Sequence, residues 1–266
     1  MKSSYNDIIQ TNKLDMIELT LNDVSDNDIV VFDCDDVLTT IAQQLFKQHN
    51  RQVFINWCKN NIPGFDRTMF FDLLDYILVS NKNVLVNDRM PWLVNKLADM
   101  NIKAVVLTAL PTKPIGKVQE PIKWRSNILS ELGYNFGKFW KNLSDKKFFE
   151  NTIQPYPPAY HNGIICCDNV PKYLCLGEFL RYSNISPNRI LFIDDNIDNL
   201  NGMQKWAYNY NIAFLGIQYH EAQNIVSNVP LSEELINYQL QMLVKQHVWM
   251  PDGDAFDAIS NGKHNK

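Results

Sequence analysis

Ile29-Val30-Val31-Phe32-Asp33-Cys34-Asp35-Asp36-Val37-Leu38-Thr39 sets an apolar, mostly β-branched run directly against an acidic cluster. A short run of this kind, without helical period and closed by polar residues, predicts a buried strand. Its acidic end then falls at the carboxyl edge of a sheet, where open α/β sheets bind ligands. Alone, the cluster decides little, because Asp is also a common cap and turn residue after a strand.

Four further runs repeat the pattern, at residues 103–108, 163–167, 189–194 and 212–218. Helical stretches separate them, and continuous apolar strands suit a parallel sheet covered on both faces. The predicted fold class is therefore α/β, a doubly wound, Rossmann-like parallel sheet. Between the first run and a helix that Asp88 can cap, with Pro91 in its first turn, lie about fifty residues, more than a sheet crossover needs. Ile41, Leu45, Phe46, Phe54 and Trp57, then Met69, Phe70, Leu73, Leu74, Ile77 and Leu78, read as two helices broken near Pro63-Gly64. They predict a small helical cap inserted after the first strand. The expected division is a core of residues 1–39 and 89–250, a cap of 40–88 and a frayed tail of 251–266. A helix at 122–132 stopping at Gly133, and another at 232–247, complete the helical reading.

Composition narrows the partners. The chain has 266 residues, 45% hydrophobic and 20% charged, with net charge −4. That is enough to bury a core, and scattered basic residues offer no electrostatic footprint for nucleic acid or an anionic membrane. The first residues lack the apolar core of a signal peptide, and no stretch approaches the roughly 20 apolar residues of a membrane span. A cytoplasmic protein is expected, with delivery by a specialised secretion system left open. Five cysteines without a C-x-x-C pair suggest neither a disulfide framework nor a zinc site, and fit a reducing compartment. Cys166 and Cys167, inside an apolar run, read as core residues.

The chemistry gathers at strand ends. The run at 189–194 closes in Asp194-Asp195, with Asp198 and Asn199 just beyond. If its strand neighbours the one before Asp33, up to five carboxylates converge, which requires a cation or raised carboxylate pKa values. All-oxygen ligands without clustered His or Cys favour Mg²⁺. Thr108 closes the second run, and Lys172 follows the third in Asp168-Asn169-Val170-Pro171-Lys172. Each of these is ordinary alone, as a strand end or a solvated loop residue; their order along the chain is not.

In that order the residues resemble the haloacid dehalogenase superfamily. Its motifs are D-x-D-x-[TV] after a strand, a strand ending in Thr or Ser, a Lys preceding a helix, and a strand ending in an acidic pair. The matches here are Asp33-Cys34-Asp35-Asp36-Val37, Thr108, Lys172 with Gly177 and Leu180 following, and Asp194-Asp195, spanning roughly residues 29–220. More loosely, the chain resembles a branch of that superfamily found in intracellular bacteria. The resemblance implies a Mg²⁺-dependent phosphatase in which Asp33 forms an aspartyl phosphate and Asp35 serves as general acid and then base. It also implies Mg²⁺ held by Asp33, the main-chain carbonyl of Asp35, Asp194 and Asp195, with Thr108 and Lys172 on the phosphoryl oxygens. The implied substrate is a phosphorylated small molecule or a phosphoprotein. A carboxylic acid at Asp35 speaks against dehalogenation and against a long-lived phosphoenzyme. A phosphomutase, or a non-catalytic binding protein that keeps the metal site, stays as the alternative. Many relatives carry an Arg soon after the Thr, whereas this chain continues Ala109-Leu110-Pro111-Thr112-Lys113. Lys113, Lys117, Lys123 and Arg125 read as a solvated basic face that could instead bind a second anion.

Overall fold

A computed structural model describes residues 6–150 and 155–264. In chain order its elements are β1 (Asn6–Thr11), α1 (Leu14–Leu21), β2 (Asp28–Phe32), β3 (Thr39–Ile41), α2 (Arg51–Asn61), α3 (Arg67–Ser80), β4 (Asn83–Leu85), α4 (Met90–Asp99), β5 (Lys103–Thr108) and α5 (Pro121–Glu131). There follow β6 (Lys146–Lys147), β7 (Ala159–His161), β8 (Ile164–Cys166), α6 (Lys172–Ser183), β9 (Arg189–Asp194), α7 (Ile197–Asn209), β10 (Ala213–Tyr219), α8 (Glu233–Gln246) and α9 (Asp252–His264).

Eight strands form one open sheet in the order β1-β10-β9-β2-β5-β8-β7-β6. All pairs from β1 to β8 are parallel, and β7 and β6 extend the edge antiparallel. Helices flank it: α4 packs on β5, α7 on β9 and β10, and α5 on β7 and β8. The architecture is an open, mostly parallel α/β sheet of Rossmann type with an early helical insertion. The central strands are those whose apolar runs are continuous, and every residue of β2 is buried. The sequence expectation misses β1, which lies at the sheet edge and reads Asn-Asp-Ile-Ile-Gln-Thr, with too few apolar residues to announce itself. The run before Asp33 is thus the second strand.

The chain divides into two compact units. One takes the described residues up to Thr40 with Leu85–Ala222, and the other takes Ile41–Val84 with the residues from Gln223 onward. The expected boundaries need correcting at the C-terminal end, where residues 223–250 group with the helical insertion rather than with the sheet, and residues 252–264 form a helix rather than a frayed tail. The reason is core size, since two short helices cannot bury enough apolar surface alone. Leu45, Phe54, Cys58, Ile62, Phe70 and Ile77 from the insertion share one core with Ile236, Leu240, Leu243 and Trp249. Polar pinning completes it. Asp252, fully buried at the start of α9, accepts from the Gln44 N–H at 3.0 Å, from Gln239 Nε2 at 3.0 Å and from the Ser227 hydroxyl.

Helix signals hold at several ends. Asp66 caps α3 through the Met69 N–H, Ser232 caps α8 through the Leu235 N–H, and Gly133, with φ of +93°, follows α5 where a left-handed residue is wanted. At α4 the expected Asp88 cap is not made: the N-cap position is Arg89, with no side-chain cap hydrogen bond, and Asn87 accepts the Arg89 N–H at 2.9 Å in the turn just before the helix. All five cysteines are buried and free, and burial pushes the thiols of Cys34, Cys166 and Cys167 up, so they behave as core residues. Among the described residues, no helix is long and apolar enough to cross a membrane.

Candidate metal centre

β2 and β9 are parallel neighbours in register, Phe32 opposite Ile193. The ladder continues one step further, because the Asp33 N–H donates to the Ile193 carbonyl at 2.8 Å. Asp33 therefore leaves its strand beside Asp194 and Asp195. One oxygen from each of these three carboxylates lies within 4.8 Å of the others, with Asp33 and Asp194 buried and Asp195 partly so. The chain turns sharply behind them: the Cys34 carbonyl receives the N–H groups of Val37, Leu38 and Thr39, and Asp36 takes a left-handed φ of 62° that Asp tolerates better than most side chains.

Lys172, the first residue of α6, enters this cluster from the strand β8 side. Its Nζ sits 2.7 Å from Asp33 Oδ1 and 2.8 Å from Asp194 Oδ2, with almost no solvent exposure. Burial alone would drive the ammonium toward neutrality, but Asp194 and Asp33 outweigh it and hold the charge. Neutral donors add to this at Asp194, from Asn199 Nδ2 at 3.1 Å to both oxygens and from the Asn196 N–H at 2.8 Å. The Cys34 N–H donates to Asp33 Oδ1 at 2.7 Å.

One ammonium does not balance three carboxylates. Burial first, and then the charges of Asp194 and Asp195, hold the Asp33 carboxyl well above the usual range in spite of Lys172. Burial and the charges of Asp194 and Asp36 push Asp195 up to about 7. A hard divalent cation would remove this frustration, and the donor chemistry fits one, being three convergent carboxylates without His or Cys.

Beside the cluster, β5 places Thr108 fully buried at its end. Its hydroxyl accepts from the Leu110 N–H at 3.2 Å and donates to Asp35 Oδ2 at 3.4 Å. The other Asp35 oxygen is held by Arg125, whose Nη2 lies 2.7 Å away. Arg125 is completely buried on α5, so its reading as part of a solvated basic face is wrong. Lys123, by contrast, is exposed and pairs with Glu120. The spacing could have shown this: Pro121, Arg125 and Leu129 recur every four residues and form the buried stripe of α5. Of the six residues singled out by sequence, Asp33, Lys172, Asp194 and Asp195 gather in one cluster, and Asp35 and Thr108 pair next to it. Asn199 joins through Asp194. Asp198 stays at the exposed start of α7, where its N–H bonds to the Asn196 side chain.

Fold and site together define an open α/β protein whose acidic cluster can hold a metal ion at the carboxyl edge of the sheet, an arrangement suited to metal-dependent hydrolysis in general. The chain belongs to the family described as "Protein of unknown function (DUF2608)", whose model matches residues 10–255 and so takes in both units. It is similar to "Uncharacterized protein RP296" of Rickettsia prowazekii (strain Madrid E), at 23% identity over 95% of this chain and 91% of the relative. A second relative, an "Uncharacterized protein" of Rickettsia felis, is 22% identical over 76% of this chain and 71% of its own. No solved structure matches the chain.

Proposed function

We propose that this protein is a Mg²⁺-dependent phosphatase of the haloacid dehalogenase type that works through an aspartyl phosphate on Asp33. The observation that carries the reading is the meeting of Asp33, Lys172, Asp194 and Asp195 at one sheet edge, with Asp35 two residues from the nucleophile. Asp33, the main-chain carbonyl of Asp35, Asp194 and Asp195 would hold the Mg²⁺, which when bound supplies positive charge against the phosphate oxygens.

The protein's own groups do the rest. An Asp33 carboxylate oxygen attacks phosphorus, forming the acyl phosphate bond as the bond to the leaving oxygen breaks. Asp35 gives that oxygen its proton. It then takes a proton from the water that attacks phosphorus, so that inorganic phosphate leaves and Asp33 is regenerated. Lys172 keeps Asp33 in place and offsets its charge, and the Thr108 hydroxyl is close enough to Asp35 to serve a phosphoryl oxygen beside it. Substrates are phosphate monoesters of small molecules or of proteins.

A panel of phosphate monoesters, assayed with and without Mg²⁺ on the wild type and Asp33→Asn, tests this. Turnover that needs Mg²⁺ and falls by about 10³-fold or more in Asp33→Asn supports the proposal. Activity that survives the substitution or ignores chelation rejects it.

A further inference from the structure

Asp35 belongs to a loop that does not by itself fix its side chain: the next residue is left-handed and the backbone bonds nearby go to Cys34 and Thr39. The fixing group comes from ninety residues further along, as the Nη2 of Arg125 on Asp35 Oδ1. The guanidinium has no solvent exposure and lies 4.9 Å from the Trp124 ring, while the Asp35 side chain remains 37% exposed. A buried cation is expensive, and an ion pair that serves only stability gains little from such burial. Here it reaches a partly solvent-exposed carboxylate two residues from Asp33.

The geometry is also specific. Arg125 takes one oxygen of Asp35 and the Thr108 hydroxyl reaches the other, so the carboxylate is held at both ends. A planar guanidinium can aim such a hold where the rotating ammonium of Lys cannot.

We infer that Arg125 is a positioning residue that clamps the Asp35 carboxylate beside Thr108, fixing the point at which protons pass to the leaving group and from water. The inference rests on the phosphatase proposal above. It gives the buried Arg a role through Asp35 and no contact with substrate.

The full chain is compared as wild type, Arg125→Lys, Arg125→Met and Asp33→Asn, with Mg²⁺, on p-nitrophenyl phosphate and on glycerol phosphate. The first leaving group departs without a proton and the second needs one. Since acid–base catalysis contributes about 10²–10⁴-fold, Arg125→Met loses about tenfold or more in kcat on the alkyl ester beyond its loss on the aryl ester. KM is little altered on either, and Arg125→Lys recovers part of the difference. Equal losses on both esters, or none, overturn the positioning role. If circular dichroism shows that Arg125→Met does not fold, Arg125→Lys must show the same discrimination between esters, and its absence overturns the role. An active wild type without that discrimination removes the Arg125 inference alone. A wild type no more active than Asp33→Asn on either ester removes the phosphatase proposal and the positioning role with it.

Discussion

Asp252 in the helical unit and Asp33 in the α/β unit are both buried carboxylates with opposite surroundings. Asp252 meets neutral donors, the Gln44 N–H, the Gln239 amide and the Ser227 hydroxyl, which take up its lone pairs. It joins the start of α9 to the insertion and asks nothing further of its site. Asp33 faces Asp194 and Asp195 with Lys172 as the neighbouring cation, and its carboxyl is held well above the usual range by burial and by those two charges. The difference separates a carboxylate that fastens structure from one that a proton or a bound cation would relieve.

The largest stability effect expected from this contrast is at Lys172. Lys172→Met removes the ammonium from between Asp33 and Asp194. Breaking a buried pair in this way costs about 3–5 kcal/mol, read as a loss in urea unfolding of the metal-free protein. Added Mg²⁺ should restore part of it. A variant as stable as wild type would mean that the cluster is not frustrated.

The same chemical change at the two sites should then act in opposite directions. Asp195 holds its proton more tightly when folded, with a pKa of about 7. Its favourable contribution is present below the ordinary carboxylate pKa of about 4 and is lost as pH rises toward 7. Asp195→Asn removes that loss, so metal-free stability rises by on the order of 2 kcal/mol at pH 8 and changes little at pH 4. Asp252→Asn instead leaves donors poorly matched and lowers stability by about 1–2 kcal/mol. Chemical unfolding of both variants at the two pH values checks the pair, and shifts of the same sign at pH 8 would erase the distinction.

What could be read from sequence follows the same physics. The strands before Asp33, Thr108 and Asp195 are buried on both faces, so their apolar runs stand out, and the chemistry at their ends comes with them. The edge strand at Asn6–Thr11 and the two-residue β6 carry no such run. The joining of α8 and α9 to the insertion depends on contacts between segments far apart in the chain, which periodicity within either segment cannot show. Arg125 differs: its charge suggests a solvated face, whereas its place on the four-residue stripe of α5 puts it inside. The stripe marks the position as buried; what spacing within α5 cannot show is the partner, Asp35, ninety residues earlier in the chain.

Reductive trapping on Asp33 tests the central claim most directly. The wild type is mixed briefly with p-nitrophenyl phosphate and Mg²⁺, quenched and treated with borohydride, which reduces an acyl phosphate and leaves free carboxylates alone. Peptide mass spectrometry should find the reduced residue at Asp33, and none when Mg²⁺ is withheld. Turnover without any reduced Asp33, or with the label on another residue, would contradict it.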